Sequence, residues 1–176
     1  MNLNHKNIVF VPGCLLCPSY QADSSQKNRL WGQEILEFFC INSIELVQMP
    51  CPESTFKNKC CGITRKPHGL KFYENLPGFN EYCKNLSDQV IAQIYNFNQH
   101  RICVLAILGV EHSPTCAVSF MYTHRGTIHR PGIFLQHIIE SLGKTTMDIP
   151  LIGINRRYPK KAIAQLHQLQ KESERR

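Results

Sequence analysis

Four apolar runs leave this chain few folds to choose from. They are NIVFVP at 7–12, the stretch around IELVQM at 43–49, the near-continuous run at 102–110, and IPLIGI at 149–154. Short runs rich in Val, Ile and Leu read as strands buried on both faces. Between them lie segments of helical period. One runs from a cap at Ser24 or Ser25 to about Cys40, with Leu30, Trp31, Ile35, Phe38 and Phe39 on one face. A second spans Phe79 to Phe97, a third opens at Pro131 and ends at Leu142, and a fourth opens at Pro159 and carries Ile163, Leu166 and Leu169. AVSFMY (117–122) reads as strand or loop. Strand then helix, four times over, predicts an α/β fold: a three-layer Rossmann-like domain with a mostly parallel sheet. Residues 1–158 are expected to form one domain, with 159–176 a basic C-terminal helix packed on it or extending it.

The cysteines give this frame a chemistry. Cys14, Cys51 and Cys116 each lie just past an apolar run. In an open parallel sheet the carboxyl ends of neighbouring strands line one crevice, so three thiols distant in sequence are expected to meet at one edge. A site with three thiolates and no fourth protein ligand suits a metal centre with an open position. The chain has nine cysteines. The odd count, the absence of an apolar leader in MNLNHKN and the strand-end settings argue against a secreted disulfide framework and for a reducing, cytoplasmic location. Cys40, Cys83 and Cys103 fall on apolar faces and read as core. Cys60 and Cys61 sit together in a basic loop without a partner at metal-ligand spacing.

Charge excludes less. The net charge is +7, and the segment from Arg156 to Arg176 holds seven basic and two acidic residues, so the tail supplies five of those charges. A solvated basic helix explains this; nucleic-acid binding is the weaker alternative. No apolar run approaches the roughly 20 residues of a membrane span.

The sequence around each cysteine is distinctive. GCLL occupies 13–16, PCPE 50–53 and SPTC 113–116, each after a strand. In this order they resemble the thiouracil desulfurase family and its desulfidase-like relatives. A branch of those relatives also shares Gly62, Arg65 and Pro67 after PCPE, and the stretch from Gly109 to Pro114. The resemblance implies a [4Fe–4S] cluster held by Cys14, Cys51 and Cys116. It implies a non-redox desulfuration of a small thiolated, thiouracil-like substrate: the thiocarbonyl sulfur meets the open iron, water attacks the carbon, and hydrosulfide leaves. Ser113 matches the family serine before the third ligand. Glu53, beside Cys51, is the first choice for the acid that activates water, with Glu45 and Glu111 in reserve. Arg65 and His112 are the candidates for binding substrate.

The chain also departs from the pattern. Ala117 and His112 stand where glycines are usual, and Cys17 makes C-x-x-C with Cys14. Two other functions therefore stay open: a zinc or redox-thiol protein using Cys14 and Cys17, and a binding module for thiolated nucleotides or RNA that uses the tail. Oligomeric state has no signal in these residues.

Overall fold

Successive side chains of β1 (Asn7–Pro12) enter two different cores: Ile8 and Phe10 pack on one face, Val9 and Val11 on the other. That period of two, with apolar residues at every position, is what a strand covered on both sides requires. The computed structural model describes residues 7–17, 20, 32–56, 67–123 and 126–175. Among these, β1 pairs in parallel with β2 (Glu45–Met49) and β3 (Cys103–Val110), and β3 pairs in parallel with β6 (Leu151–Ile154), giving the order β2-β1-β3-β6. The β1–β3 register slips between Ile8 and Val9, and consecutive Leu105 and Ala106 both enter the Val9 core.

Helices cover both faces. α5 (Phe79–Gln99) and α6 (Ile133–Leu142) bury Phe79, Cys83, Val90, Phe134 and Ile138 against Phe10 and Ile107. α2 (Gln33–Ile41) and α7 (Lys160–Ser173) bury Ile35, Phe38, Phe39, Ala162 and Leu166 on the opposite side. The result is the three-layer, Rossmann-like α/β architecture.

Element ends move for local reasons. Ser43 and Arg101 adopt left-handed φ angles of 53° and 59°, turning the chain into β2 and β3. The strands thus begin at Glu45 and Cys103, inside the expected 43–49 and 102–110. α6 starts at Ile133, after an extended Gly132, and not at Pro131. The AVSFMY stretch leads into β4 (Phe120–Thr123), paired antiparallel with β5 (Gly126–His129) in a separate hairpin. β5 has no buried residue, so its sequence carries no core period to read. Short helices α1 (Gly13–Leu16), α3 (Pro52–Thr55) and α4 (Leu70–Glu74) fill loops after β1 and β2. Cys83 is fully buried, but Cys40 is exposed on α2, so it is not a core residue. Trp31, Arg65, Cys60 and Cys61 lie outside the described residues.

The sheet order matters for function. Chain progression reverses between β1 and β3: the strand after β1 lies to one side, and the strand after β3 to the other. A crevice opens at the carboxyl ends of strands at such a switch point.

Candidate functional site

The three loops after β1, β2 and β3 bring their cysteines to that crevice. Cys14, Cys51 and Cys116 all line one cavity of about 510 Å³. Cys14 lies in the first turn of α1, directly after Pro12. Cys51 is the N-cap of α3, where Pro52 presets the helical φ, and its carbonyl accepts from Ser54 Oγ at 3.1 Å and Thr55 Oγ1 at 2.8 Å. Cys116 ends the turn that follows β3.

That turn is held from within. Ser113 Oγ accepts from the Thr115 N–H at 3.3 Å and the Cys116 N–H at 3.1 Å. The Cys116 carbonyl accepts from the Val110 N–H at 2.8 Å. Two glycines let other backbone lie on it: a Cβ at Gly109 would strike the Cys116 carbonyl, and one at Gly132 would strike the Thr115 peptide. The glycines were legible as residues, but their contact with the Cys116 turn needed the folded chain.

Burial dominates the thiol chemistry. The Cys14 thiol is pushed up to about 12 chiefly by burial, against the pull of Arg156, with Cys51 and Glu53 adding. Burial likewise raises Cys116 well above the ordinary thiol range; Cys51, Cys14 and Glu53 add to this, and the Thr115 hydroxyl opposes it. Each thiol thus sits within electrostatic reach of the others. Arg156, on the loop after β6, is a cavity residue that sequence patterns did not single out.

The acid candidates separate cleanly. Glu53 is buried, lines the cavity, and accepts from Thr115 Oγ1 at 2.6 Å and Tyr73 OH at 2.9 Å. Ser113 Oγ stands 3.5 Å from Glu53 Oε1. Glu111 also lines the cavity, but its carboxylate accepts the backbone N–H groups of Ser119 and Phe120, at 3.2 and 2.8 Å, and so fixes the approach to β4. Glu45 opens β2 and is exposed at the far end of the strand from Cys51, about 3.3 Å per residue away along it. Of the three acids, Glu53 is the one joined to the serine-containing turn.

His112 lines the cavity in a left-handed conformation with φ 69°. Its ring stacks on Tyr122, and its Nδ1 is buried with no hydrogen-bond partner among the described residues. His68, stacked on Phe72 at 3.7 Å, lines the same cavity, as do Tyr20, Arg157 and Tyr158. Arg65 falls outside the described residues. Cys17 caps the end of α1 through its N–H to the Gly13 carbonyl and is not a cavity residue.

Among the described residues, no three His, Cys, Asp or Glu side chains are arranged to hold a single metal ion. The donor set at the crevice is three soft sulfurs from three strand ends, spread around a cavity. Thiolate sulfur is the ligand type that soft metals and iron–sulfur cores take, so the chemistry of the donor set is compatible with such a group.

No family model matches the chain, and no solved structure does. The chain is similar to an uncharacterized protein of Methanocaldococcus jannaschii, at 25% identity over 95 residues, covering 54% of this chain and 55% of that protein. The chain thus spans about half the length of the curated relative it matches. No helix among the described residues is long and apolar enough to cross a membrane.

Proposed function

We propose that this protein is an iron–sulfur-dependent desulfurase that hydrolyses a carbon–sulfur bond in a small thiolated compound. The observation that carries the proposal is the meeting of Cys14, Cys51 and Cys116 with Glu53 and Ser113 in one cavity at the switch point. In the overall reaction, thiocarbonyl and water give carbonyl and hydrogen sulfide, without change of oxidation state.

Cys14, Cys51 and Cys116 would hold a [4Fe–4S] cluster, which supplies an open iron to polarise the C–S bond when bound. The chain's own groups do the rest. Burial keeps the Cys14 and Cys116 thiols protonated in the metal-free chain, so loading the metal would release their protons to solvent. Glu53 is an acceptor for a proton from attacking water. Ser113 lines the cavity and offers a hydroxyl to a ligand. His112 offers an imidazole to the substrate from the cavity wall, and Arg157 adds positive charge there. Cys17 lies outside the cavity lining, which speaks against a Cys14–Cys17 dithiol as the working pair.

The test is anaerobic purification followed by iron and acid-labile sulfide counts, then incubation with 2-thiouracil and assay of released sulfide. About four irons per chain together with sulfide release, and a Glu53→Gln variant that keeps the iron but loses the sulfide release, support the proposal. A wild type that takes up no iron under anaerobic reconstitution sinks it.

A further inference from the structure

Three hydroxyls surround Glu53, and they are not equivalent. Tyr73 comes from α4 and reaches Oε2 at 2.9 Å. Thr115 comes from the turn after β3 and reaches Oε1 at 2.6 Å. Both residues are shielded from solvent, at 0% exposure; Thr115 borders the cavity beside Cys116, whereas Tyr73 stands behind Glu53 and outside the lining. Each has one proton to give, and the shortest bond of each runs to a different carboxylate oxygen; Thr115 Oγ1 also lies 3.5 Å from Cys116 Sγ, the longer and weaker contact. Short bonds from hydroxyl to carboxylate are charge-assisted and about twice as strong as neutral ones. Two of them on opposite oxygens fix both the position and the plane of the carboxylate. Pro52 stiffens the backbone beneath it.

Ser113 is differently employed. Its oxygen already accepts the Thr115 and Cys116 N–H groups. The acceptors for its own proton, Thr115 Oγ1 and Glu53 Oε1, lie at 3.3 and 3.5 Å, the long edge of hydrogen bonding.

We propose that Tyr73 and Thr115 are positioning residues that clamp Glu53 from opposite oxygens and aim it into the cysteine cavity, leaving the Ser113 proton for the ligand. Thr115 is immediately before the Cys116 ligand, so the clamp also ties the acid to the metal-binding turn. This rests on the desulfuration reading for its catalytic half; its structural half does not. Thr115 lies within SPTC but was given no role there, and Tyr73 lies outside the motifs, 20 residues beyond Glu53.

Two measurements on the full chain test it. The first is thermal unfolding of iron-free, reduced protein in double-mutant cycles. Tyr73→Phe and Thr115→Val, each combined with Glu53→Ala, are expected to be non-additive, the double losing about 2 °C or more less than the summed singles. Ser113→Ala with Glu53→Ala is expected to be additive within about 1 °C. The second is turnover of 2-thiouracil by protein reconstituted with iron. Tyr73→Phe and Thr115→Val lower kcat by about tenfold or more while KM and iron content stay at wild-type values. Thr115→Ser keeps the hydroxyl and recovers to within about threefold of wild type. Additive cycles for Tyr73 and Thr115, or wild-type kcat in either variant, overturn the clamp. A wild type with neither iron nor sulfide release overturns the desulfuration reading separately, and the unfolding cycles then decide the clamp alone.

Discussion

The imidazole of His112 lies flat against the phenol ring of Tyr122, with centroids 3.8 Å apart and planes within 10° of parallel. The stack joins the turn after β3 to the β4 strand of the hairpin, and it is bought at a local backbone cost. His112 holds φ 69°, a conformation that costs a non-glycine residue about 1–2 kcal/mol. Its Nδ1 is buried without a partner among the described residues, a second cost. Such strain concentrates at functional sites.

The first prediction separates strain from stacking. His112→Gly removes both, so its melting temperature is expected within about 3 °C of wild type. His112→Ala keeps the left-handed backbone and loses the stack, so it is expected to be less stable than the glycine variant by about 1 kcal/mol. Both are expected to raise KM for a thiolated substrate. Thermal unfolding of the two variants checks the order; an alanine variant as stable as the glycine one removes the strain argument.

Gly132 gives the second. A methyl group there would drive into the Thr115–Cys116 backbone that it faces. Overpacking of this kind costs about 1–3 kcal/mol. Gly132→Ala is therefore expected to lower stability by that amount and to lower iron retention on desalting, because the displaced turn carries a proposed ligand. Gly143→Ala is the control: its Cβ would meet helix carbonyls at 3.4 Å or more, and little change is expected.

The pH dependence of the iron-free protein follows from Cys14. Its thiol is pushed up to about 12 in the fold, from an ordinary value of 9.0. Between those values the unfolded chain loses a proton that the folded chain keeps. The contribution is fully present below about pH 9 and is lost as pH rises toward 12. Urea unfolding of wild type and Cys14→Ala between pH 8 and pH 10.5, values chosen about the unperturbed thiol range, is expected to show a steeper alkaline decline in wild type. Parallel slopes would show that burial of this thiol does not set the dependence.

Ligand identity is tested by single cysteine changes. Cys51→Ser and Cys116→Ser are expected to drop anaerobic iron from about four per chain to well below one. Cys17→Ser and Cys40→Ser are expected to keep wild-type iron, since Cys17 is outside the cavity lining and Cys40 is exposed on α2. Loss of iron in Cys17→Ser would return the C-x-x-C pair to the centre of the chemistry.

The sequence by itself determined the frame. Apolar runs at 7–12, 102–110 and 149–154, with a more mixed one at 43–49 that became the edge strand β2, are separated by helical periods, the pattern of parallel strands under helices on both faces. The cysteines just after three of those runs then had to approach one crevice, since parallel strands end on the same side. Elements without a buried face left no such mark: β5 is exposed or half-buried throughout, and α1, α3 and α4 are too short to show a period.

Tertiary structure decided which side chains do what in the crevice. PCPE and SPTC placed Glu53 and Ser113 near the cysteines and made Glu53 the first choice of acid, but the local sequence does not show what each carboxylate bonds to. Only packing shows Glu111 occupied by the Ser119 and Phe120 amides, and Glu53 held by Tyr73 and Thr115. Arg156, Tyr122 and Tyr73 joined the site from other elements for the same reason. Hydrogen bonds and charge pairs act over a few ångströms in space, whereas the periodicities of a chain report only what each segment buries.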